Sequence, residues 1–384
     1  MSYFIKADKF FYPYETKRGG YLEIIEGKFG NWASQAPENA EILDYSGYNI
    51  APGLVDTHIH GFHDFDVMDD DIRGLLTTMS EGLLSVGVTS FFPSTLTGDH
   101  ETLRHICEEI GNHYQEAKGA KIQGIFFEGP YFTEKHKGAQ NPNYMTDPSV
   151  AEFHEWNAAA KGMLKKIGLA PERKGVAEFI RTISSEGVAI ALGHSNASYE
   201  QAVRGVEAGA NIWVHTYNGM SALNHREPGM VGAAFDTPNT YTELICDGHH
   251  VHPAACKALI NAKGADHVVL VTDSMRAAGM PEGGSYVLGE FPVVVKDGAV
   301  RLVSDGNLAA SLLTLNQAVK NVVDWGIVTP EEAVMMATLT AAISAKVDNV
   351  CGQIKYSHAA DFIVLKPDMT LSATYLDGEK RFEA

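Results

Sequence analysis

Cysteine is scarce in this chain, and its spacing excludes two kinds of small cross-linked protein. The four cysteines are Cys107, Cys246, Cys256 and Cys351, and they form no Cys-x-x-Cys pair and no disulfide-like pattern. A zinc ribbon and a disulfide framework both need such spacing. The simplest interpretation is that the thiols are reduced, as in a cytoplasmic protein.

The chain also has few positively charged residues relative to negatively charged ones, and it has no long apolar run. Lys and Arg number 30 against 48 Asp and Glu, a formal net charge of -18. Nucleic acids and anionic membranes bind clustered positive charge, so neither is expected as a partner. A small anionic substrate needs only a local basic pocket. No apolar run approaches the ~20 residues of a membrane helix, and the N-terminus lacks the layout of a signal peptide.

What the chain does contain is a series of short apolar runs that end in residues able to bind a metal or a proton. Turn residues bound each run, a pattern typical of strands buried on both faces. The runs are Gly53–His60, Gly124–Glu128, Ala189–His194, Asn211–His215 and Val268–Asp273. In a parallel barrel, the strand ends meet at the C-terminal face, where catalytic groups gather. We therefore expect these polar side chains to converge.

Helical patterns separate the apolar runs. The helical segments are 70–86, 100–118, 253–263 and 329–342. Capping-box patterns at Ser198 and Thr329 mark the starts of two helices. About eight strand–helix pairs predict an α/β protein with a (β/α)₈ barrel. Residues 285–304 break the alternation and predict hairpins inserted after the last barrel strand.

The two ends of the chain differ from its middle. Alternating apolar and polar residues, as in Tyr21–Gly30 and Ala360–Asp368, indicate short strands closed by turns. We expect the ends to form one small β-sandwich domain from residues 1–50 and 350–384, around a barrel of residues 51–349.

The chemistry of the run ends favours a divalent metal. His58 and His60 alternate along a strand, so both rings point to the same side and can clamp an ion. Glu128 precedes a Gly-Pro pair expected to end its strand, and a buried carboxylate there needs a metal or an arginine. Singly, His194 and His215 fit core histidines better. Together with Glu128, they describe a catalytic metal site with an open position.

Asp273 permits two interpretations. It could be the N-cap of a helix, or it could face water activated by a metal. In the second case the carboxylate would take the proton of that water and pass it to a leaving amine.

Longer motifs surround these positions. They are Glu128–Tyr131, Lys137–Pro142, Leu192–Ser195, His215–Met220, Arg226–Gly229, Asp247–Val251 and Val271–Asp273. Over about residues 51–368, the chain resembles the amidohydrolase superfamily and, within it, the N-acetylglucosamine-6-phosphate deacetylases. The resemblance implies metal-dependent hydrolysis of N-acetyl-D-glucosamine 6-phosphate to D-glucosamine 6-phosphate and acetate, in amino-sugar catabolism.

The same resemblance implies a role for each site residue. Glu128, His194 and His215 would bind the catalytic ion, which is Zn, Fe, Mn or Co. His58 and His60 would allow a second ion per subunit, and Asp273 would be the general base and then the general acid. The implied substrate contacts are Ala139, Gln140, Asn218, Gly219, Arg226, His250, Leu308, Ala309 and Ala310.

Phosphate is expected beside Asn218, Gly219, Arg226 and His250, with Arg226 donated by the neighbouring subunit of a homodimer. One departure concerns Gln140, because many relatives have a histidine there. Glutamine can donate a hydrogen bond to the acetyl carbonyl but cannot become cationic. Two alternatives stay open: another amidohydrolase reaction, such as cyclic-amide hydrolysis or deamination, and a non-catalytic barrel. The filled ligand positions disfavour the second.

Overall fold

Eight parallel strands form a barrel in the middle of the chain. The computed structural model describes residues 2–281 and 283–384. The barrel strands, numbered first to eighth in chain order, are Leu54–Ile59, Val88–Thr95, Ile125–Tyr131, Leu164–Leu169, Ala189–Leu192, Ile212–Trp213, Tyr241–Leu244 and Val268–Leu270. Each pairs in parallel with the next. Every residue of the first three is buried, as expected for strands covered on both faces.

The barrel closes just beyond its eighth strand. The amide of Asp273 donates to the carbonyl of His58 at 2.9 Å, and the amide of His60 donates to the carbonyl of Ser274 at 2.8 Å. These bonds join the first strand to the segment after the last one. The predicted fold class, a (β/α)₈ barrel with a small β-sandwich domain built from both chain ends, is confirmed.

One strand differs from its prediction. The third strand does not end at Glu128 but continues through Gly129-Pro130 to Tyr131. Its pairing with the fourth strand is interrupted between Phe127 and Tyr131. The proline therefore takes no ladder hydrogen bond away, and the extended backbone tolerates it.

Helices connect the barrel strands. They are Ser80–Leu84, His100–His113, Val150–Ala159, Val176–Ser185, Tyr199–Ala208, Gly229–Asp236, Pro253–Lys263, Leu315–Asp324, Pro330–Met336 and Leu339–Ser344, with a π-helical turn at Leu75–Met79. The helix predicted over 329–342 is two helices. Thr338 separates them with φ −134° and ψ −90°, and its hydroxyl donates to the carbonyl of Val334 at 2.6 Å. This side-chain bond competes with the regular backbone ladder. Among the described residues, no helix combines the length and the apolar composition that crossing a membrane requires.

Strands from both chain ends share one sheet. In spatial order they are Glu379–Glu383, Leu371–Leu376, Phe362–Leu365, Ile42–Pro52, Ser2–Tyr12, Tyr21–Ile25 and Lys28–Ala33, with Glu15–Arg18 also paired to Ser2–Tyr12. The ends meet where Phe362 lies opposite Pro52 and Leu365 lies opposite Asn49. Buried side chains such as Ile5, Phe10 and Phe362 give this unit a core of its own. The domain boundaries at residues 50 and 350 stay a prediction.

The interruption predicted over 285–304 is a three-stranded antiparallel sheet of Gly284–Leu288, Phe291–Lys296 and Ala299–Leu302. Leu288 and Val293 pack with Leu96 and Met275, which lie at the mouth of the barrel. The insertion therefore forms one wall above the barrel. Shorter strands lie at Gly61–Phe62, Phe65–Asp66 and Lys121–Ile122, and 3₁₀-helical turns lie at Tyr114–Glu116, Glu134–His136, Pro142–Tyr144 and Ala265–His267.

Both predicted capping boxes are present, and the one at Ser198 supports a stability prediction. The Ser198 hydroxyl accepts from the amide of Gln201 at 3.3 Å, and the Gln201 side chain accepts from the amide of Ser198 at 2.9 Å. We expect Ser198→Ala to lower the free energy of unfolding by about 1 kcal/mol, because an N-terminal amide loses its partner. Urea unfolding measures this change. The control Glu207→Ala, on an exposed position of the same helix, should stay within about 0.5 kcal/mol of the parent. Equal losses in both variants would contradict the capping role.

Candidate active site

Four histidines and two carboxylates converge at the C-terminal end of the barrel. Nε2 of His194 and Nε2 of His215 lie 3.2 and 3.0 Å from Oε1 of Glu128. Nε2 of His58 and Nε2 of His60 lie 3.4 and 3.1 Å from Oδ1 of Asp273. Glu128 also joins the two groups, since its Oε2 lies 3.3 Å from Nε2 of His60. All six side chains are buried.

The Nδ1 atom of each histidine faces a hydrogen-bond acceptor on the outside of the cluster. Nδ1 of His58 faces the Glu243 carboxylate at 3.1 Å. The acceptors for His60, His194 and His215 are the backbone carbonyls of Ser94, His136 and Asn218, at 3.0, 2.9 and 3.1 Å. These acceptors favour a proton on every Nδ1, which leaves the Nε2 lone pairs directed at the centre.

This arrangement fits a divalent ion. Nε2 of His194 lies 3.1 Å from Nε2 of His215, and Nε2 of His58 lies 3.3 Å from Nε2 of His60. Two lone pairs cannot hydrogen-bond to each other, so each pair needs a proton or a cation between its members. Imidazole nitrogens and carboxylate oxygens are the donors that Zn, Fe, Mn and Co accept. Glu128, His194 and His215 would hold one ion, and His58, His60 and Asp273 would hold another.

The charges of the cluster also shift the pKa values of its members. Burial lowers the pKa of His58, but the neighbouring Asp273 and Glu128 outweigh it and raise the pKa to about 9. Burial raises the pKa of Asp273, but His58 and His60 outweigh it and bring the pKa to about 2. Without an ion, protons on the histidines balance the two carboxylates. Protons and metal ions therefore compete for one place.

Three of the six residues have strained backbones. The φ angles of His194, His215 and Asp273 are 42°, 26° and 49°, in the left-handed region that side chains other than glycine rarely adopt. Each follows the end of a barrel strand, where the chain turns towards its helix. Such strain is characteristic of functional sites, because the surrounding structure holds the side chain in one position.

A cavity of about 260 Å³ opens above the cluster. It is lined by Ala139, Gln140, Asn218, Gly219, His250, Leu308, Ala309 and Ala310, together with His60, Glu128, His194, His215 and Asp273. The sequence predicts all of these. Arg226 is exposed, and neither Arg226 nor His58 is among the residues that line the cavity.

Two lining residues show how tightly the cavity is built. Gly219 has a φ of 61°, and a Cβ there would come within 3.0 Å of Nδ1 of His194. Any other residue at this position would be strained in its backbone and crowded against His194. The amide nitrogen of Gln140 donates to Oε2 of Glu128 at 2.5 Å, and its carbonyl accepts from the amide of Thr97 at 2.7 Å. Gln140 thus holds Glu128 in place and keeps one N–H for a ligand.

His250 lines the cavity and is paired with a carboxylate. Its Nδ1 contacts the Asp247 carboxylate at 2.6 Å. Burial lowers the pKa of His250, but the hydrogen bond and the charge of Asp247 outweigh it, so the pKa lies above its usual value. His250 is therefore suited to donate a hydrogen bond to an anionic group of a ligand.

Two charged residues near the cluster are absent from the predicted site. Lys166 and Glu243 form a buried ion pair inside the barrel, and Glu243 contacts His58. Neither charge stands out in the sequence, since Lys166 follows another lysine in its strand and Glu243 follows a threonine. Leu96, Gly138, Leu288 and Asn307 also line the cavity, but no pattern in the sequence distinguishes them.

Comparison with known proteins identifies the family. The family model described as "Amidohydrolase family" matches residues 49–381. The chain belongs to the amidohydrolase family.

Several proteins resemble this amidohydrolase over nearly its whole length. It is 39% identical to an N-acetylglucosamine-6-phosphate deacetylase of Vibrio furnissii, over 95% of this chain and 89% of the relative. It is also 39% identical to an N-acetylgalactosamine-6-phosphate deacetylase of Escherichia coli O157:H7, over 93% of both chains. A solved N-acetyl-D-glucosamine-6-phosphate deacetylase variant from Mycobacterium smegmatis, in complex with N-acetyl-D-glucosamine-6-phosphate, superposes with a TM-score of 0.93 at 27% identity, covering 99% of both chains.

Proposed function

We propose that this amidohydrolase removes the acetyl group from N-acetyl-D-glucosamine 6-phosphate and releases D-glucosamine 6-phosphate and acetate. The observation that carries the proposal is the convergence of the metal-type cluster and Asp273 beneath a cavity with His250 on its far side. The deacetylase relatives support it, since their names state this reaction. A cyclic amidase or a deaminase has no such support, and a non-catalytic barrel would not need six buried polar groups facing one another.

The chemistry divides between an ion and the chain. A divalent ion held by Glu128, His194 and His215 would polarise the acetyl carbonyl and make a water molecule more acidic. Asp273 is ionised at neutral pH, since its pKa is about 2. Its Oδ1 faces His58 and His60, so we assign Oδ2 to proton transfer. Oδ2 would accept the proton of the attacking water and then donate it to the amide nitrogen as the C–N bond breaks. The free N–H of Gln140 would bind the acetyl oxygen.

The phosphate would bind on the far side of the cavity. His250 offers a ring N–H donor there, and Gly219 offers a backbone N–H in a turn. The backbone N–H of Asn218 already donates to the carbonyl of His215, so Asn218 would use its side-chain amide. We assign Arg226 to the same phosphate across a homodimer interface, because it is exposed and lies outside the cavity of its own chain. Leu223, on the same loop, is 54% exposed, which suits a loop covered by a second subunit.

A second substrate has direct support. The relative named as an N-acetylgalactosamine-6-phosphate deacetylase is as similar to this chain as the N-acetylglucosamine-6-phosphate deacetylase, at 39% identity each. The two sugars differ in the orientation of a single hydroxyl, at C4. We keep N-acetylglucosamine 6-phosphate as the main proposed substrate. Measuring kcat/KM for both sugars decides which of them the enzyme prefers.

Acetate release tests the proposal. Purified enzyme loaded in turn with Zn²⁺, Fe²⁺, Mn²⁺ or Co²⁺ should release acetate from N-acetylglucosamine 6-phosphate with a higher kcat/KM than from the galactosamine epimer. A higher kcat/KM for the epimer would exchange the two substrates. Release from neither sugar, by protein with measured bound metal, would refute the deacetylase function. Metal analysis of the same samples gives the identity of the ion and its number per subunit, which we propose to be one or two.

The exposed loop at Arg226 supports a prediction about the phosphate. Arg226→Ala should raise the KM for the 6-phosphate by roughly ten- to a hundredfold, the equivalent of about 1.5–3 kcal/mol for a charge-assisted hydrogen bond. The KM for unphosphorylated N-acetylglucosamine should change little. Arg204→Ala is the matched control, since Arg204 is an exposed arginine on a barrel helix. An unchanged KM for the phosphate would remove Arg226 from the site.

Mixed dimers test where Arg226 acts. Arg226→Ala and Asp273→Asn chains are unfolded and refolded together in equal amounts. Half of the randomly paired dimers are then mixed, and each of these regains one intact site, so roughly a quarter of all sites should work. No recovery in verified mixed dimers would place Arg226 in its own subunit or outside any site.

We also propose a cytoplasmic location. All four cysteines are buried and free, which agrees with a reducing compartment.

A further inference from the structure

A lysine and a glutamate lie inside the barrel, and the proposed reaction uses neither. Lys166 comes from the fourth barrel strand and Glu243 from the seventh, and both are buried. Nζ of Lys166 contacts Oε1 of Glu243 and donates to the carbonyl of Thr57 at 3.0 Å. It also lies 3.8 Å from the centre of the Phe126 ring. Inside the barrel, the ion pair therefore contacts the first and third strands, which carry the proposed metal-binding residues His58 and Glu128.

The second oxygen of Glu243 reaches both halves of the metal cluster. Oε2 lies 3.1 Å from Nδ1 of His58 and accepts from the backbone amide of His215 at 3.3 Å. The first contact is with the side chain of a residue in the His58, His60 and Asp273 group. The second is with the backbone of a residue in the Glu128, His194 and His215 group.

These contacts have unequal consequences for the two groups. An acceptor at Nδ1 fixes the tautomer of a histidine and the direction of its ring, so that Nε2 is free to bind an ion. Glu243 does this for His58. For His215, the acceptor at Nδ1 is the carbonyl of Asn218, and Glu243 contacts only the backbone amide of His215. Stability alone gives a poor account of the pair, because a buried ion pair is often no more stable than apolar residues of similar volume.

We propose that Lys166 and Glu243 are positioning residues for a second metal ion, and that they act by holding His58 with its Nε2 towards that ion. Lys166 holds Glu243 in place through their ion pair, and Glu243 orients His58. The inference rests on the metal chemistry of the proposed function. It goes beyond that function by making the second ion, and not the first, depend on a charge pair inside the barrel.

The test measures metal binding to the full-length protein. Each variant is stripped with a chelator and titrated with Co²⁺ or Zn²⁺ against a competing chelator, which gives a dissociation constant for each ion. Glu243→Leu combined with Lys166→Met replaces the ion pair with apolar residues and avoids a buried unpaired charge. We expect the dissociation constant of the second ion to rise roughly ten- to a hundredfold, as for the loss of other partners of metal-binding histidines. The constant of the first ion should change by no more than a few-fold.

Two further variants separate positioning from general damage to the barrel. Glu243→Gln keeps an oxygen that can accept from Nδ1 of His58, so it should retain more of the second-ion affinity than the apolar pair. His58→Ala should remove about one ion per subunit, because that group then keeps too few ligands. Adding the apolar pair to His58→Ala should have no further effect on metal content. The ¹⁵N shifts of His58 in the ion-free protein, recorded above its pKa of about 9 so that the ring is neutral, should report a proton on Nδ1 in the parent and a mixture of tautomers in the apolar pair.

Three results would overturn the proposal. They are equal weakening of both ions by the apolar pair, unchanged affinity for the second ion, and a parent protein that binds only one ion. Circular dichroism must show that each variant is folded, and Glu243→Gln decides the question if the apolar pair does not fold. Failure of acetate release would refute the deacetylase function but leave these binding measurements standing, so the two failures are distinguishable.

Discussion

Asp273→Asn is expected to lower kcat by at least ~10²-fold while the protein stays folded and binds its substrate. Asparagine has nearly the same shape as aspartate, but its amide cannot accept the proton of a water molecule at neutral pH. Oδ1 of Asp273 lies 3.1 Å from Nε2 of His60, and an amide oxygen can keep that contact. Proton transfer is therefore lost with little change in the surroundings.

Steady-state kinetics and substrate binding are measured together for this variant. The substrate should bind with an affinity close to that of the parent and remain acetylated. Asp324→Asn is a suitable control, because Asp324 is 52% exposed at the end of a helix and does not line the cavity. If Asp273→Asn turns over within a few-fold of the parent, the assignment of the general base is wrong.

Loss of the His215 imidazole is expected to remove both the first ion and the activity. The group of Glu128, His194 and His215 provides three ligands, the number that catalytic sites of this kind use. His215→Ala leaves two, which is too few to compete with water for the ion. Activity should fall at least as far as in Asp273→Asn, since the polarising charge is lost as well as the acidic water. Chelation of the parent should have the same effect, and Zn²⁺, Fe²⁺, Mn²⁺ or Co²⁺ should restore it.

Elemental analysis and acetate release measure the two effects of this change. The matched control is His105→Ala, an exposed histidine on the helix His100–His113, which should keep both metal and activity. Full activity in a demonstrably metal-free sample would falsify the metal assignment.

The barrel is predictable from the sequence because its strands are buried on both faces. Such strands appear as short apolar runs, and the inserted hairpins appear as a break in the alternation. The exceptions depend on backbone conformations that local sequence does not reveal. The third strand passes a proline because its ladder is already interrupted there. The last long helical segment divides at Thr338, whose hydroxyl bonds to its own helix.

The metal-type residues are predictable for a related reason. Each follows an apolar run, and the topology of the barrel brings the ends of such runs together. Their orientation is not predictable in this way, because it depends on contacts between distant segments. Nδ1 of His58 meets Glu243 from the seventh strand, and Nδ1 of His194 meets the carbonyl of His136. The role of Arg226 depends on a second subunit and stays a prediction.

The bonds that close the barrel have a consequence for how the protein is made. They join His58 and His60 to Asp273 and Ser274, so the site is completed on the seam between the first strand and the last. During synthesis the early histidines must wait for the final strand, and long-range pairing of this kind is slow. An ion that binds only the closed barrel would then stabilise the closed state relative to the open one. At a thousandfold excess over its dissociation constant, it adds about 4 kcal/mol to the closed state.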